Sequence, residues 1–392
     1  MRLNLILTLS LAGLGSNIAL RLVDPLVPTI AADFGVSVTT VATLTTAYAL
    51  PYAMSQPVLG PVGDAIGKAL LIRTGLVVLS GALLLCAIAP SFPLLMAARI
   101  LCGIAAGAII PAAFAIIGDR VPLEDRQVAI SRLLLLVFVA QIVGAGGAGA
   151  LSTQFGWRGI LLCAAAVTAT VALVTFPNLA PRAGAVRKKL SVSGALEGYR
   201  EVLSNPRAKP LYLLVMLEGA GIFATHPYVA SILSTREDAS AFEAGMVIGA
   251  FGVGALVYTL LVRRILNLLG PRRMAIAGSL GAAVALAAFA FGSDWRIDAV
   301  MFFIFGFSFL MLHNPLQAVA TDLSASARGS AVALFALSVF LGQAVGPPIF
   351  GMASAWAGTL PMILVEAAII ASLGVLAARF VFRGETVEIP KG

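Results

Sequence analysis

Long apolar stretches separated by short polar breaks run along the whole chain. A helix needs about 20 apolar residues to cross the roughly 30 Å hydrocarbon core of a bilayer, and the stretches have this length or more. Glycine, proline and charged residues interrupt them, as at Phe34-Gly35, Pro90-Ser91-Phe92-Pro93, Gln154-Phe155-Gly156-Trp157 and Ser293-Asp294-Trp295. We predict twelve spanning helices near residues 4–32, 38–62, 69–89, 92–117, 127–152, 158–178, 210–233, 242–266, 273–292, 297–320, 329–353 and 359–381.

Composition agrees with an integral membrane protein. The chain has 392 residues, of which 60% are hydrophobic and 11% charged, and its mean hydropathy is +1.00. Soluble domains are about half apolar and a quarter charged. No ten-residue alternating pattern of a membrane β-barrel competes with the helical runs. The first run is too long for a signal peptide, so we predict a retained helix.

The sequence contains few features that indicate metal binding, catalysis or nucleic-acid binding. Cys86, Cys102 and Cys163 all fall inside apolar runs without metal-ligand spacing, so we expect small buried packing residues. Neither a phosphate-binding glycine loop nor a catalytic triad pattern is present. The net charge of +8 is dispersed through loops, which does not favour nucleic acid as a partner. We therefore predict no metal, no cofactor and no enzymatic activity.

Lysine and arginine are distributed unevenly between the two sets of loops. One side carries Arg2, Lys68, Arg73, Arg120, Arg126, Arg187, Lys188, Lys189, Arg207, Lys209, Arg263, Arg264, Arg272, Arg273, Arg328 and Arg383. The other side has little beyond Arg158, Arg236 and Arg296. Cytoplasmic loops are enriched in basic residues, so both termini are predicted to be cytoplasmic, and we expect a bacterial inner membrane protein.

A polar stretch divides the chain into two sets of six helices. We predict an N-terminal six-helix bundle over residues 1–179, a cytoplasmic linker over 180–209, a C-terminal six-helix bundle over 210–382 and a tail over 383–392. A short surface helix is expected near Ser193–Leu203 within the linker.

The two halves repeat each other at one offset. Gln141-Ile-Val-Gly144 matches Gln343-Ala-Val-Gly346, and Arg126 matches Arg328, at the same separation along the chain. Asp64-Ala-Ile-Gly67 is echoed by Asn267-Leu-Leu-Gly270 at a separation that differs by a single position. Several matches near one offset indicate an internal duplication with both copies in the same orientation.

The break between the second and third helices carries a motif. Gly60, Gly63, Asp64, Gly67 and Lys68 fit the Gly-x-Leu-Ala-Asp-Arg-x-Gly-Arg-Lys joint of the major facilitator superfamily, which the twelve-helix duplicated chain resembles. Val62 replaces the leucine, and Ala65 and Ala69 stand at two usual basic positions. The glycines are expected to let the joint approach a neighbouring helix closely.

The resemblance implies the major facilitator fold and a gating role for this joint. Asp64 is expected to face the start of the eleventh helix near Gly329-Ser330, where free N–H groups favour an anion. Arg120 or Arg126, with Arg328 as the repeat counterpart of Arg126, are candidates to complete a charged contact. The alternative is that Asp64 is a simple helix cap.

The fourth, fifth and eleventh helices carry further family-like patterns. Arg99-Ile-Leu-Cys-Gly103, followed by Gly107, resembles the family's Arg-x-x-x-Gly pattern. In the family's drug exporters this arginine is associated with proton coupling. The alternative is that Arg99 extends its charged end to the membrane interface. The fifth helix resembles the glycine-rich signature of exporters but has Gly144-Ala145 in place of Gly-Pro. Close helix packing is expected at Gly103, Gly107, Gly144, Gly146, Gly147, Gly346 and Pro347.

Polar residues inside the predicted spans are the candidates for a substrate and proton pathway. Arg21 and Asp24 lie three residues apart on one helix face, as a cavity pair or a structural pair. Glu218 and His226 are expected near one face of the seventh helix. Asn314 lies in His313-Asn314-Pro315, which is expected to interrupt the tenth helix, as a cavity feature or a plain kink.

Three more polar residues complete the candidate set. Glu366 is expected to stand alone in the twelfth helix with access to water. Gln141 and Gln343 are matched by the repeat and are candidates for hydrogen bonds to substrate or between helices.

The resemblance predicts a secondary transporter of a small organic molecule, a proton-coupled exporter that acts as a monomer through alternating access. An uptake carrier or facilitator of the same fold is the alternative, and a non-transporting membrane sensor is a third hypothesis.

Overall fold

A computed structural model of the chain describes residues 4–179 and 192–382, without the side chains of a few residues, among them Asp64. In this part the chain forms helices and connecting turns but no strand. The spanning helices are α1 (Leu5–Phe34), α2 (Val38–Ile66), α3 (Lys68–Ala87), α4 (Phe92–Arg120), α5 (123–155), α6 (157–175), α7 (Ala208–Glu237), α8 (241–269), α9 (271–290), α10 (Trp295–Asp322), α11 (Arg328–Ala357) and α12 (Thr359–Phe380).

The predicted number of twelve spans is confirmed. Within the described residues, nine helices are long and apolar enough to cross a membrane. Two of them, of 48 and 50 residues, are double spans that bend at Gly156 and Gly270, and α2 adds the twelfth. Threonine, tyrosine and proline make α2 less apolar than the other spans.

Two of the expected breaks between helices are bends inside a continuous helical run. Gly156 and Gly270 have φ values of 63° and 69°, a left-handed region that glycine adopts without steric cost. The joint between α2 and α3 is equally short, since Gly67 alone separates them, with φ at 102°. In α10 the helix runs through Pro315 to Asp322 without interruption, which corrects the expected break.

The outer surface of the bundle is apolar where a bilayer would cover it. Val77 is 55% exposed and Val284 is 70% exposed within spanning helices. Cys163 also faces outwards, which corrects its expected burial, whereas Cys86 and Cys102 are buried. Large exposed aliphatic side chains are stable in lipid and unfavourable in water.

Glycine contacts repeat between the two halves. A Cβ on Gly144 of α5 would overlap the carbonyl of Ile18 in α1, and one on Gly346 of α11 would overlap the carbonyl of Ala220 in α7. Both members of the first contact are related to those of the second by the offset of the sequence repeat. The duplication seen in the sequence is therefore a duplication of backbone crossings, which small residues permit.

The halves meet along α2 with α11 and α5 with α8. Thr46 of α2 donates to the carbonyl of Ala344 at 2.7 Å, and Tyr52 stacks on Phe340 with ring centroids 3.9 Å apart. Between α5 and α8, a Cβ on Gly149 would lie 2.7 Å from the Cα of Gly245. These contacts surround the middle of the bundle.

A short helix at Val192–Ser204 lies within the predicted linker and contacts both halves. Tyr199 donates to the carbonyl of Pro57 at 2.7 Å on α2. Glu201 accepts hydrogen bonds from Ser324 and Ser326 at the turn before α11, and these bonds lower the pKa of the Glu201 carboxyl. Residues 180–191 and the tail at 383–392 lie outside the described residues.

Candidate functional site

Helices α1 and α7 are both broken by a short 3₁₀ turn, about two thirds of the way along each helix. The turns are Asp24–Leu26 and His226–Tyr228, each with proline at its second position. Proline lacks an N–H and disfavours the regular helical bond, so the local chain tightens. Asp24 and His226 are separated by the repeat offset and occupy equivalent positions in the two halves. Sequence reasoning missed this pair, although Asp-Pro and His-Pro at that offset were visible.

Arg21 connects the two halves at the centre of the molecule. It is 3% exposed, and its Nη2 donates to Oε1 of Gln343 on α11 at 3.0 Å. Its guanidinium lies 4.1 Å from the ring centroid of Phe223 on α7. Its Nη1 lies 3.5 Å from Asp24, whose other oxygen accepts from Thr45 at 3.4 Å. The predicted pair is present and also faces the other half.

Arg99 of α4 is held inside the N-terminal half. It is 1% exposed, donates to the carbonyl of Ala19 at 3.0 Å and lies 4.6 Å from the ring centroid of Tyr48. Its Nε has no partner among the described residues. The guanidinium therefore does not snorkel to an interface, because the Tyr48 ring and the α1 carbonyl enclose it.

His226 lies in an aromatic cage in the C-terminal half. Four ring centroids lie 4.8 to 6.1 Å from that of its imidazole. They belong to Phe223, Phe251, Phe302 and Phe305. No described side chain bonds to either ring nitrogen, and the backbone of Ile222 and the guanidinium of Arg21 are polar groups near the ring.

A small cavity of about 10 Å³ lies here between the two halves. It has room for roughly one water molecule. Its lining consists of Arg21, Gln141, Ala145, His226, Ile248, Phe251 and Gly252. Three hydrogen-bonding side chains from α1, α5 and α7 thus meet an apolar wall from α8.

Glu218 and His226 lie in different surroundings, which corrects the expectation that they share a face. The 3₁₀ turn at His226 changes the helical register, so the period of α7 does not carry across it. Glu218 instead pairs with Nδ1 of His313 on α10 at 3.0 Å. Asn314 donates to the hydroxyl of Tyr258 on α8 at 3.3 Å. His313 was quoted in the sequence motif but its carboxylate partner was not foreseen.

Glu366 is also placed differently from the expectation. It is 5% exposed, so it does not stand alone with access to water. Thr225 of α7 donates to its Oε2 at 2.5 Å, and its Oε1 has no partner among the described residues. Since Thr225 directly precedes the broken turn of α7, Glu366 is connected to the cavity through that turn.

The joint between α2 and α3 differs from its predicted packing. A Cβ on Gly60 or Gly67 would meet no atom within 4 Å, so close approach to a neighbouring helix does not require these glycines here. Gly63 is closer to a neighbour, because its Cβ would lie 3.3 Å from a Leu71 methyl group. Lys68 pairs with Asp119 of α4 at 2.7 Å, a partner that the sequence did not indicate.

The proposed contact of Asp64 with α11 stays a prediction, because the Asp64 side chain lies outside the described part of the chain. Arg126 donates to the carbonyl of Val121 at 2.9 Å, while Arg120 and Arg328 are exposed. Ser330, at the expected docking position, borders Gly198 of the linker helix.

The residues predicted to allow close helix packing differ in how near their neighbouring atoms lie. A Cβ on Gly103 would overlap the carbonyl of Tyr48, and one on Gly107 would overlap the Ser55 hydroxyl. Around Gly146 and Gly147 the nearest atoms lie 3.8 and 3.7 Å from an added Cβ, in ordinary contact. The Pro347 carbonyl accepts from Tyr228 at 2.9 Å. Among the described residues no group of three or more His, Cys, Asp or Glu side chains could hold a metal ion.

Two repeated six-helix halves around a buried polar centre are the architecture of a membrane transporter family. The Major Facilitator Superfamily profile matches residues 7–235 and 211–391. The chain belongs to this superfamily.

Relatives and solved structures agree with this assignment. The MFS-type transporter YceJ of Bacillus subtilis is 24% identical over 84% of this chain and 84% of its own length. A chloramphenicol efflux pump of Mycobacterium tuberculosis is 30% identical over 67% of this chain and 63% of its own. A bacterial homolog of the human lysosomal transporter Spinster, in an inward-facing unoccupied conformation, has a TM-score of 0.79 and 18% identity, and covers 96% of this chain and 97% of its own.

Proposed function

We propose that the protein exports a small organic molecule across the bacterial inner membrane in exchange for protons, with both termini in the cytoplasm. Family membership supports transport. The similarity to a chloramphenicol efflux pump and to a chloramphenicol resistance protein of Streptomyces lividans, 25% identical over 65% of this chain and 64% of its own length, supports export. The basic loops on the side of the termini support the orientation.

The observation that carries the proposal is the position of Arg21. It pairs with Asp24 in its own half while it bonds to Gln343 and stacks on Phe223 in the other. A substrate that enters between the halves must compete for these donors and surfaces. Substrate binding and the contact between halves therefore exclude one another, which is how a carrier links binding to a change of state.

Buried carboxylates provide the means for proton coupling. Asp24 and Glu218 are each buried beside a basic partner, 3.5 Å from Arg21 and 3.0 Å from His313. A proton that neutralises one of them changes the charge of its buried ion pair, and so the relative stability of the two facing states.

Uptake is the alternative, and a sequence observation favours it. The fifth helix has Gly144-Ala145 where exporters of the family carry Gly-Pro. Helix α5 passes this point through a π-helical segment, Val143–Gly147, which contains no proline. A proton-coupled or uncoupled uptake carrier would use the same site.

Vesicles of opposite sidedness distinguish the two directions. We expect radiolabelled chloramphenicol to accumulate in everted membrane vesicles that respire, and to lose that accumulation when an uncoupler dissipates the proton gradient. Vesicles without the protein serve as the control. Accumulation confined to right-side-out vesicles under an inward proton gradient would contradict export and favour uptake.

A thermal-shift screen with the purified protein tests which compounds it binds. A ligand that binds only the folded state raises the unfolding temperature, because at 100 times its Kd it stabilises that state by about 2.7 kcal/mol. Chloramphenicol is the first compound to test.

A further inference from the structure

Four carboxylates are buried in the spanning helices of the described residues, and they differ in their partners. Asp24, Glu218 and Asp298 each lie beside a basic side chain, which is Arg21, His313 and Arg236 respectively. Glu366 is the fourth. Of this described set it alone has no basic partner.

The surroundings of Glu366 are apolar except for one residue. Helix α12 packs against α7, the continuous α8–α9 run and α11, and no charged or titratable group described on these helices acts on the carboxyl. Thr225 supplies its polar contact, and the threonine hydroxyl lies 2.5 Å from Oε2. His226, the next residue, turns into its cage of phenylalanine rings instead. The second oxygen, Oε1, is buried without a partner in the described part of the chain.

An ionised carboxylate in such a place is unfavourable, because neither a counter-charge nor water compensates for its lost hydration. The neutral acid has no such cost. The threonine hydroxyl can donate to the carbonyl oxygen or accept from the acid O–H, so the contact is compatible with a protonated side chain. In the conformation described, the contacts of Glu366 therefore favour the neutral acid.

Release of that proton requires water or a cation at the carboxyl. Either one can reach Glu366 only if the contact between α7 and α12, here called the α7–α12 seam, opens. Thr225 borders the broken turn that holds His226 at the cavity wall. Movement of this seam therefore moves the cavity wall.

We propose that Glu366 is the proton-binding residue of the transport cycle. It holds a proton while the α7–α12 seam is dry, and it transfers that proton to water when the seam opens, to be reprotonated from the opposite side of the membrane. The proposal rests on the proton-coupled transport proposed above. It assigns the coupling proton to Glu366 of α12 in place of Asp24 or Glu218, which have basic partners.

Infrared spectroscopy tests the protonation without any substrate. In difference spectra of the purified protein between about pH 5 and about pH 9, the C=O stretch of a protonated carboxylic acid marks a titrating buried acid. We expect this band in the wild type and in Glu197→Gln, which removes an exposed carboxylate of the linker helix. The part of the band that belongs to Glu366 should be absent from Glu366→Gln, so the band should be weaker than in the wild type, while the other buried carboxylates, Asp24, Glu218 and Asp298, are unchanged in both proteins. A band of unchanged intensity in Glu366→Gln, or a wild type without one, would overturn the assignment.

Transport separates the role in coupling from a structural role. Glutamine keeps an oxygen for Thr225 and mimics the neutral acid. We expect Glu366→Gln to exchange chloramphenicol across vesicles with equal concentrations on both sides, at a rate within about threefold of wild type, but to lose accumulation driven by the proton gradient. Full gradient-driven accumulation in Glu366→Gln would exclude Glu366 as the coupling site.

The two proposals fail in different ways. If the wild type itself shows no accumulation that depends on the proton gradient, the proposed function is wrong whatever the variant does. If the wild type is coupled and Glu366→Gln is equally coupled, only the assignment to Glu366 is wrong.

Discussion

Replacement of Arg21 by glutamine is expected to abolish transport and to destabilise the folded protein. The variant loses the bond to Gln343 and the stacking on Phe223, and it leaves Asp24 with Thr45 as its remaining hydrogen-bond partner. Removal of one partner of a buried ion pair costs about 3–5 kcal/mol. Transport is lost because Arg21 lines the cavity and connects the two halves. Thermal unfolding in detergent and vesicle transport measure the two effects.

Two matched variants show whether the effect belongs to this pair. The double variant Arg21→Gln/Asp24→Asn should recover much of the lost stability, because no unpaired charge is left, yet it should not recover transport. Arg296→Gln removes an arginine that is 71% exposed, from a pair with Asp294, and should change stability by less than about 1 kcal/mol. Normal transport by Arg21→Gln would contradict a central role for this residue.

Substitution of Gly103 by alanine is expected to give a large loss of stability from a single added methyl group. The Cβ would overlap the backbone carbonyl of Tyr48, where α4 crosses α2. Backbone cannot move aside as the end of a flexible side chain can, so the two helices must separate. Overpacking of this kind costs about 1–3 kcal/mol and sometimes more. We expect a value at or above the top of this range.

The matched control is Gly81→Ala on the neighbouring helix α3. Its Cβ would meet no atom within 4 Å, so the substitution adds helix propensity without a clash. Unfolding temperatures and yields of the two variants in the same detergent provide the comparison. Equal stability of Gly103→Ala and Gly81→Ala would mean that the crossing of α2 and α4 is looser than described.

The fold could be predicted from the sequence because its main signals are patterns that can be read along the chain. Twelve apolar stretches specify twelve helices because a helix must reach across the bilayer, and the internal repeat specifies two similar halves. The same repeat relates the contact of Gly103 with Tyr48 to that of Gly306 with Phe251. Helix joints were harder to predict, since Gly156 and Gly270 allow a sharp bend in place of a loop.

The candidate site could be predicted as a set of residues but not as a set of contacts. Arg21 and Asp24 are close in the chain, so their pairing follows from helical spacing. The partners of Glu218, Glu366 and Lys68 come from distant helices, and the sequence contains no local signal for His313, Thr225 or Asp119 in these roles. Such contacts depend on helix rotation, which packing of the whole bundle determines.

Proton movement in everted vesicles tests the central claim most directly. Respiration acidifies the vesicle interior, and a pH-sensitive fluorescent dye reports the gradient. If the protein exchanges substrate for protons, addition of chloramphenicol should release protons and reverse the quenching of the dye in wild-type vesicles, but not in vesicles with Arg21→Gln. Accumulation of radiolabelled chloramphenicol without any change in the dye signal would contradict proton-coupled export.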